Sequence, residues 1–170
     1  TRDIATKFNN TYGEILVVPE PDIEQESQLI PGIDGQKMSK SYNNTIPIFG
    51  DEKFIRKQIM SIITDSTPVD EPKDIKSPLF KLFLLFLGEK GKKDLTGRFL
   101  SSGLQYRDVK MELFETIMEY FRPFREKREY LSGHMDYVYE QLLNGSNKAS
   151  AVADQILSKV RKVTGLNYRV

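Results

Sequence analysis

Two lysines flank a serine in the run Lys37-Met38-Ser39-Lys40-Ser41, which Gly32 and Gly35 precede. Lysine is a compact cation with three donors, and two of them can neutralise the charge of a triphosphate. When a carboxylate attacks the α-phosphorus, negative charge accumulates on the departing pyrophosphate, and cations that close over it at that moment lower the barrier. The hydroxyls of Ser39 and Ser41 and nearby backbone amides can add phosphate contacts. A loop suits the task because it can open to admit nucleotide and release product. Lysines and serines in an arbitrary loop are usually only solvated. A fixed five-residue string, however, arises by chance on the order of once in ten thousand such chains or fewer.

The elements that must position this run are marked by periodicity and by turn residues. Upstream, Ile4, Ala5 and Phe8 share one face of a short helix that stops before Asn9-Asn10 and Gly13. Ile15-Leu16-Val17-Val18, closed by Pro19 and Pro21, predicts a buried strand over Glu14 to Val18. Helix plus strand is the expected last unit of an α/β sheet. From Glu20 to Gly50 prolines, glycines, serines and asparagines dominate, and a loop of that length inside a compact protein is usually functional or disordered. The pentapeptide lies in its middle.

Downstream the pattern becomes helical. Asp51 is a cap for a helix in which Phe54, Ile55, Ile59, Ile62 and Ile63 recur at helical spacing. Thr67 to Lys76 forms a connector, and Ser77-Pro78 is a helix start. A shorter helix is expected from about Asp94 to Ser102, ending at Gly103. Pro123 divides the apolar pattern Val109, Leu113, Ile117, Tyr120, Phe121 from Phe124, Leu131, Val138 and Leu142, which predicts two helices in sequence. Asn144-Gly145-Ser146 predicts another break, followed by a stripe of Ala149, Val152, Ala153, Ile156, Leu157 and Val160 before Gly165. The expected fold is therefore mostly α: the end of a Rossmann-like α/β domain with one short strand, then an all-helical bundle.

At 170 residues, with 39% hydrophobic and 29% charged residues, the chain is long enough for one large or two small folded domains. A net charge of +1 makes no overall electrostatic case for nucleic acid, so any basic surface must be local. The absence of cysteine excludes disulfides and thiolate metal sites, and His134 alone builds no zinc site. His134 is better placed as a helix-boundary residue, Met111 and Met118 as packing, and neither Asp51-Glu52 nor Asp70-Glu71 as paired catalytic carboxylates. The apolar run Leu79 to Leu87 is far shorter than the roughly 20 residues of a membrane span. No membrane is expected as a partner, and the lack of cysteine fits a cytoplasmic setting. Opening on Thr1-Arg2-Asp3, without Met, the chain is expected to be cut from a longer protein.

The pentapeptide resembles the second ATP-binding motif of class I aminoacyl-tRNA synthetases, which lies after the last strand of their Rossmann-like catalytic domain. Within that class, the wider strings are similar to those of bacterial tryptophanyl-tRNA synthetases. These strings are Thr1-Arg2-Asp3-Ile4-Ala5 with Phe8-Asn9, Ile30 to Gln36, Tyr42-Asn43-Asn44-Thr45-Ile46, Ile55-Arg56-Lys57 with Thr64-Asp65-Ser66, and Lys148-Ala149 to Leu166. One departure stands at Gly103-Leu104-Gln105-Tyr106-Arg107, where related chains often have Gly-Tyr-Gly. The resemblance implies that Lys37, Met38, Ser39, Lys40 and Ser41 bind ATP, Lys37 and Lys40 on its phosphates, with Mg²⁺ accompanying the nucleotide. It also implies a backbone group near Leu29 at the adenine.

By the same resemblance, residues 1–50 end the catalytic domain, 51–76 connect, and 77–170 form an anticodon-binding domain. The whole enzyme would join tryptophan to ATP and pass it to tRNA(Trp), as a homodimer. The first ATP motif and the amino-acid pocket would lie upstream, so the chain alone is expected to be inactive. Two other readings stand beside this one: a tRNA-binding helical module without catalysis, and a synthetase for another amino acid such as tyrosine. Phosphate-contact candidates are Lys90, Lys92, Lys93 and Arg98; Arg122, Arg125, Lys127 and Arg128; and Lys159, Arg161 and Lys162. Tyr120, Phe121, Phe124 and Tyr130 are candidate stacking platforms.

Overall fold

In the computed structural model, residues 1–23 and 29–166 are described, so residues 24–28 of the predicted loop and the last four residues of the chain lie outside the description. Seven α-helices and one 3-10 turn follow one another among the described residues. They are α1 (Arg2–Tyr12), the turn Lys40–Tyr42, α2 (Glu52–Met60), α3 (Pro78–Leu84), α4 (Glu89–Leu100), α5 (Tyr106–Tyr120), α6 (Arg122–Ser132) and α7 (Met135–Thr164). No described helix is long and apolar enough to cross a membrane. The chain divides into two compact units, residues 23–127 and residues 1–22 with 128–170.

The first of these units carries the core. Asp51 accepts Phe54 N at 3.1 Å and so caps α2, while Ser77 accepts Phe80 N at 3.3 Å with Pro78 behind it at the start of α3. Both helix starts match the side-chain caps read from the sequence. The buried faces are Ile55 and Ile59 of α2 with Ile62 just beyond it, Leu79, Phe80, Leu82 and Phe83 of α3, Leu95 and Phe99 of α4, and Val109, Leu113, Phe114 and Ile117 of α5. Each such side chain contributes about 1.5–3 kcal/mol on burial. Phe80 and Phe99 meet edge to face at 4.8 Å. Met111 and Met118 pack against this core, as their spacing implied.

Lys73 organises the connector between α2 and α3. It is 4% exposed, and its Nζ donates to Thr67 O at 3.2 Å, to Glu71 O at 3.0 Å and to Pro68 O. The ammonium thus gathers three carbonyls of a proline-rich turn, one of which, Pro68 O, also accepts Glu71 N at 3.1 Å. Helix α4 begins five residues before the predicted Asp94, at Glu89 behind Gly88, and closes before Gly103, whose φ of 95° turns the chain. Pro123 falls in the first turn of α6, the position where its missing N–H costs nothing, so α5 and α6 are separate helices as predicted.

The second unit differs from expectation in several places. Helix α1 runs on through Asn9-Asn10 to Tyr12, and the helix expected to carry Phe124, Leu131, Val138 and Leu142 is divided at Gly133-His134 into α6 and α7. Residues 14–18 form no strand, and Val17 is 90% exposed. A single strand needs a neighbour to pair with, and among the described residues the only bridge outside helices is Pro31 with Lys37. Asn9 takes the partner's role instead: its Oδ1 accepts Leu16 N at 2.9 Å and Ile15 N at 3.2 Å, and its Nδ2 donates to Leu16 O at 2.7 Å. The predicted break at Asn144-Gly145-Ser146 is also absent, because α7 runs unbroken to Thr164. A mid-helix glycine costs only about 1 kcal/mol against alanine, which the helix-forming residues on either side outweigh. Helix α7 buries none of its residues, its predicted apolar stripe included, and Gly165 closes it at φ 73°.

Candidate functional site

The lysine-serine loop stands on a closed base. Gly32 N donates to Gln36 O at 2.7 Å, Gly35 N to Gly32 O at 3.0 Å and Met38 N to Ile30 O at 2.8 Å. The chain therefore folds back on itself between Ile30 and Met38, with Gly35 in the left-handed region at φ 78°, where any Cβ is strained. Ser39 follows as the cap of the turn Lys40–Tyr42, its hydroxyl accepting Ser41 N at 3.2 Å. Asn43 ends that turn at φ 53°, a conformation asparagine tolerates.

Asn44, only 1% exposed, fastens the turn to the base. Its Oδ1 accepts Ser39 N at 2.8 Å, and its Nδ2 donates to Asp34 Oδ1 at 2.7 Å and to Lys37 O at 3.2 Å. Its own carbonyl accepts Ile33 N at 3.0 Å. Asp34 Oδ1 in turn accepts Gln36 N at 3.0 Å.

The predicted site residues divide by direction. Lys37, Lys40 and Ser41 are exposed, Ser39 is half-buried, and among the described residues neither lysine ammonium has a hydrogen-bond or ion-pair partner. Met38 points the other way. It packs against the core and lines an apolar cavity of about 150 Å³ with Ile30, Ile46, Phe86 and Phe121. The pentapeptide thus has one apolar anchor and two outward cations, an arrangement suited to a polyanion that arrives from solvent. Leu29 is exposed at the entrance to the base and close to the loop in sequence, but no contact of its backbone marks an adenine position.

One bond ties the base to the segment after α2, Ile63 N donating to Ile33 O at 2.8 Å. Farther along, the Arg125 guanidinium of α6 donates to Ile48 O at 3.4 Å and to Met118 O of α5. The segment that carries Ile63 is held by Lys110 of α5, whose Nζ donates to Met60 O at 3.1 Å and to Ile62 O at 2.6 Å. Burial pushes the Lys110 ammonium below the ordinary lysine range. Nearby, the Tyr106 hydroxyl donates to Asp65 Oδ1 at 2.7 Å. Bonds from Thr67 and then Tyr106 hold Asp65 below the usual carboxylate range, while burial, followed by the bond to Asp65, pushes Tyr106 up.

The basic clusters are less available than their sequence implies. Arg98 makes a two-pronged pair with Glu112 at 3.0 and 2.6 Å, which raises its pKa, and it lines a cleft of about 450 Å³ with Lys93, Ser101 and Gly103. Lys92 pairs with Glu89 at 3.5 Å and Arg122 with Glu119 at 2.7 Å. Tyr120 and Phe124 keep exposed rings, whereas Phe121 is half-buried against Phe86. His134 caps the start of α7, its Nδ1 against Tyr130 O at 2.7 Å and its ring stacked on Tyr130, so it is a boundary residue as expected.

Comparison with known proteins bears on the same residues. A family model described as tRNA synthetases class I (W and Y) matches residues 1–122. A tryptophan–tRNA ligase of Fusobacterium nucleatum is 47% identical over 98% of this chain and 51% of its own length, and that of Rhodopirellula baltica is 42% identical over 97% and 52%. A solved tryptophanyl-tRNA synthetase from Campylobacter jejuni, in complex with ADP and tryptophan, superposes with a TM-score of 0.78 at 42% identity, covering 96% of this chain and 52% of that one. The chain spans about half the length of the curated relatives it matches.

Proposed function

Since the chain belongs to the class I tRNA synthetases of the tryptophan and tyrosine branch, we propose that it supplies the C-terminal part of an enzyme that activates tryptophan with ATP and transfers it to tRNA(Trp). Tryptophan is favoured over tyrosine by the relatives, which are tryptophan–tRNA ligases at 42–47% identity. A non-catalytic tRNA-binding module is disfavoured by the intact run Lys37-Met38-Ser39-Lys40-Ser41. The observation that carries the reading is the loop itself, with two exposed lysines held on a closed base and unpartnered among the described residues. As the tryptophan carboxylate oxygen bonds to the α-phosphorus, the bond to the bridging oxygen breaks and its electron pair leaves with pyrophosphate. Lys37 and Lys40 meet the charge that develops there, and Ser39, whose hydroxyl oxygen already accepts Ser41 N, keeps its proton to donate to a phosphate oxygen.

Mg²⁺ is assigned to the triphosphate as a companion ion. Among the described residues no group of three His, Cys, Asp or Glu comes together to hold a metal, so its ligands would be phosphate oxygens. The proposal extends to a catalytic-domain end at residues 1–50, a connector at 51–76 and an anticodon-binding part at 77–170, and to a cytoplasmic homodimer. Lys40→Ala in the full-length enzyme tests the loop. Tryptophan-dependent pyrophosphate exchange should lose about 100- to 1,000-fold in kcat, the usual cost of removing one preorganised donor, with the tryptophan KM little changed. An unchanged exchange rate would remove Lys40 from the chemistry.

A further inference from the structure

Met38 divides the pentapeptide into two halves, and one buried side chain grips the main chain on both sides of it. We propose that Asn44, braced by Asp34, is a positioning residue of the activation reaction, fixing the directions in which Lys37 and Lys40 leave the loop. This inference rests on the ATP-loop reading given above.

The geometry requires an amide at this position. The group facing Asn44 on one side is a donor, Ser39 N, and on the other side stand two acceptors, Lys37 O and the Asp34 carboxylate. Only a planar amide offers an acceptor and two donors on one short stem: aspartate has acceptors alone, and serine has a single proton. The network also fixes the amide's orientation, since a flipped group would set NH₂ against N–H and oxygen against two oxygens. Glutamine carries the same group one methylene farther out, and there is no room for it to withdraw. A Cβ on Gly32 would lie 2.4 Å from both Cγ and Nδ2 of Asn44, so the backbone of residue 32 already rests against the amide.

Function follows from what the amide holds. Lys37 O and Ser39 N belong to the peptide units that precede and follow Met38, whose half-buried side chain packs against the core. With both units fixed, the residues on either side of Met38 share one frame, and the turn Lys40–Tyr42 starts from a set point. Without them, Met38 and the backbone bonds of the base would still anchor the loop, but the two ammoniums would sample a wider range of positions. Catalysis by placed charge is sensitive to such displacements, about 100-fold for an error near 1 Å.

Three variants of the full-length enzyme test this: Asn44→Asp, Asp34→Ala and the double exchange Asp34→Asn with Asn44→Asp. Activity is measured by pyrophosphate exchange per folded molecule, with thermal unfolding recorded alongside. Asn44→Asp puts a carboxylate against Asp34 and Lys37 O and should lower kcat about 10- to 100-fold while leaving the tryptophan KM within about twofold. Asp34→Ala removes only the brace and should fall between it and wild type. The exchange rebuilds the bond between positions 34 and 44 with donor and acceptor reversed, and should recover part of the lost kcat.

A wild-type kcat in Asn44→Asp would overturn the proposal. So would a loss that the exchange does not relieve at all, or one explained by a smaller folded fraction alone. If Asn44→Asp does not fold, Asp34→Ala decides the matter by the same measurement. Lys40→Ala run in parallel separates two failures: a normal Lys40→Ala sinks the ATP-loop reading itself, whereas a slow Lys40→Ala beside a normal Asn44→Asp sinks only the positioning role.

Discussion

Replacing Lys110 by methionine isolates the electrostatic part of the joint between α2 and α5. Methionine keeps the unbranched stem and roughly the volume, so packing is nearly conserved, but Met60 O and Ile62 O lose the donor that reaches them at 3.1 and 2.6 Å. Met60 O belongs to the last turn of α2, where helix geometry leaves carbonyls without amide partners and the helix dipole favours a cation, and Ile62 O lies two residues beyond it. Lys110 is 9% exposed, so water replaces the ammonium poorly. Hydrogen bonds to a charged group are worth about 1.5–3 kcal/mol each, and the desolvation that the ammonium no longer suffers offsets part of the loss. A net destabilisation of about 1–3 kcal/mol remains, which for a unit of about 100 residues lowers Tm by roughly 5–20 °C.

The pH dependence fixes the sign independently. Burial depresses the folded-state pKa of Lys110 below its ordinary 10.5. The folded protein therefore releases this proton before the unfolded chain does, and stability contributed by Lys110 rises as pH passes through the folded value toward 10.5. The same contribution is lost as pH falls back through the folded value. Thermal melts of wild type and Lys110→Met at neutral pH and at successive alkaline steps should show a gap that widens with pH. Equal Tm values at neutral pH would refute the claim that Nζ secures the end of α2, and a gap that narrows toward alkaline pH would refute the lowered folded-state pKa of Lys110.

Gly32→Ala should press its methyl into the amide of Asn44, 2.4 Å from two of its atoms. Relief by backbone shift costs about 1–3 kcal/mol, so urea titration should show a lower midpoint, and exchange activity should fall along with it. Phe99→Ala empties a side chain that is 0% exposed and edge-on to Phe80. A loss of about 3–5 kcal/mol is expected from chemical denaturation with an unchanged loop sequence, and a loss below about 1 kcal/mol would contradict the placement of Phe99 in the core.

The features legible in the sequence were those set by neighbours close along the chain. Asp51, Ser77-Pro78 and Pro123 each act within one helical turn, and each marks a real boundary. The strand at residues 14–18 was misread because an apolar run says nothing about whether a partner strand is at hand, and here Asn9 satisfies that backbone instead. At Gly145 the helix-forming residues on either side outweigh the local turn residues, a balance that no single position displays. The five loop residues stood out by order alone, but the sequence did not show that Met38 turns inward or that Asn44 holds both of its flanks. Lys110 left a readable sign: it shares a helical face with Phe114 and Ile117, and a lysine inside an otherwise buried stripe must find partners. Those partners lie some fifty residues away in sequence, beyond the reach of local pattern.

A primary amide is among the side-chain groups that time and heat degrade, which gives the dependence on Asn44 a chemical lifetime. Hydrolysis of that one group would release ammonia and leave a carboxylate facing Asp34, with every loop lysine still in the chain. The product differs from the fresh protein by one dalton and one negative charge, and its mass fingerprint would change before its fold did. Burial and the bonds that immobilise Asn44 also slow that hydrolysis, so the contacts that let the amide orient the loop protect it from ageing.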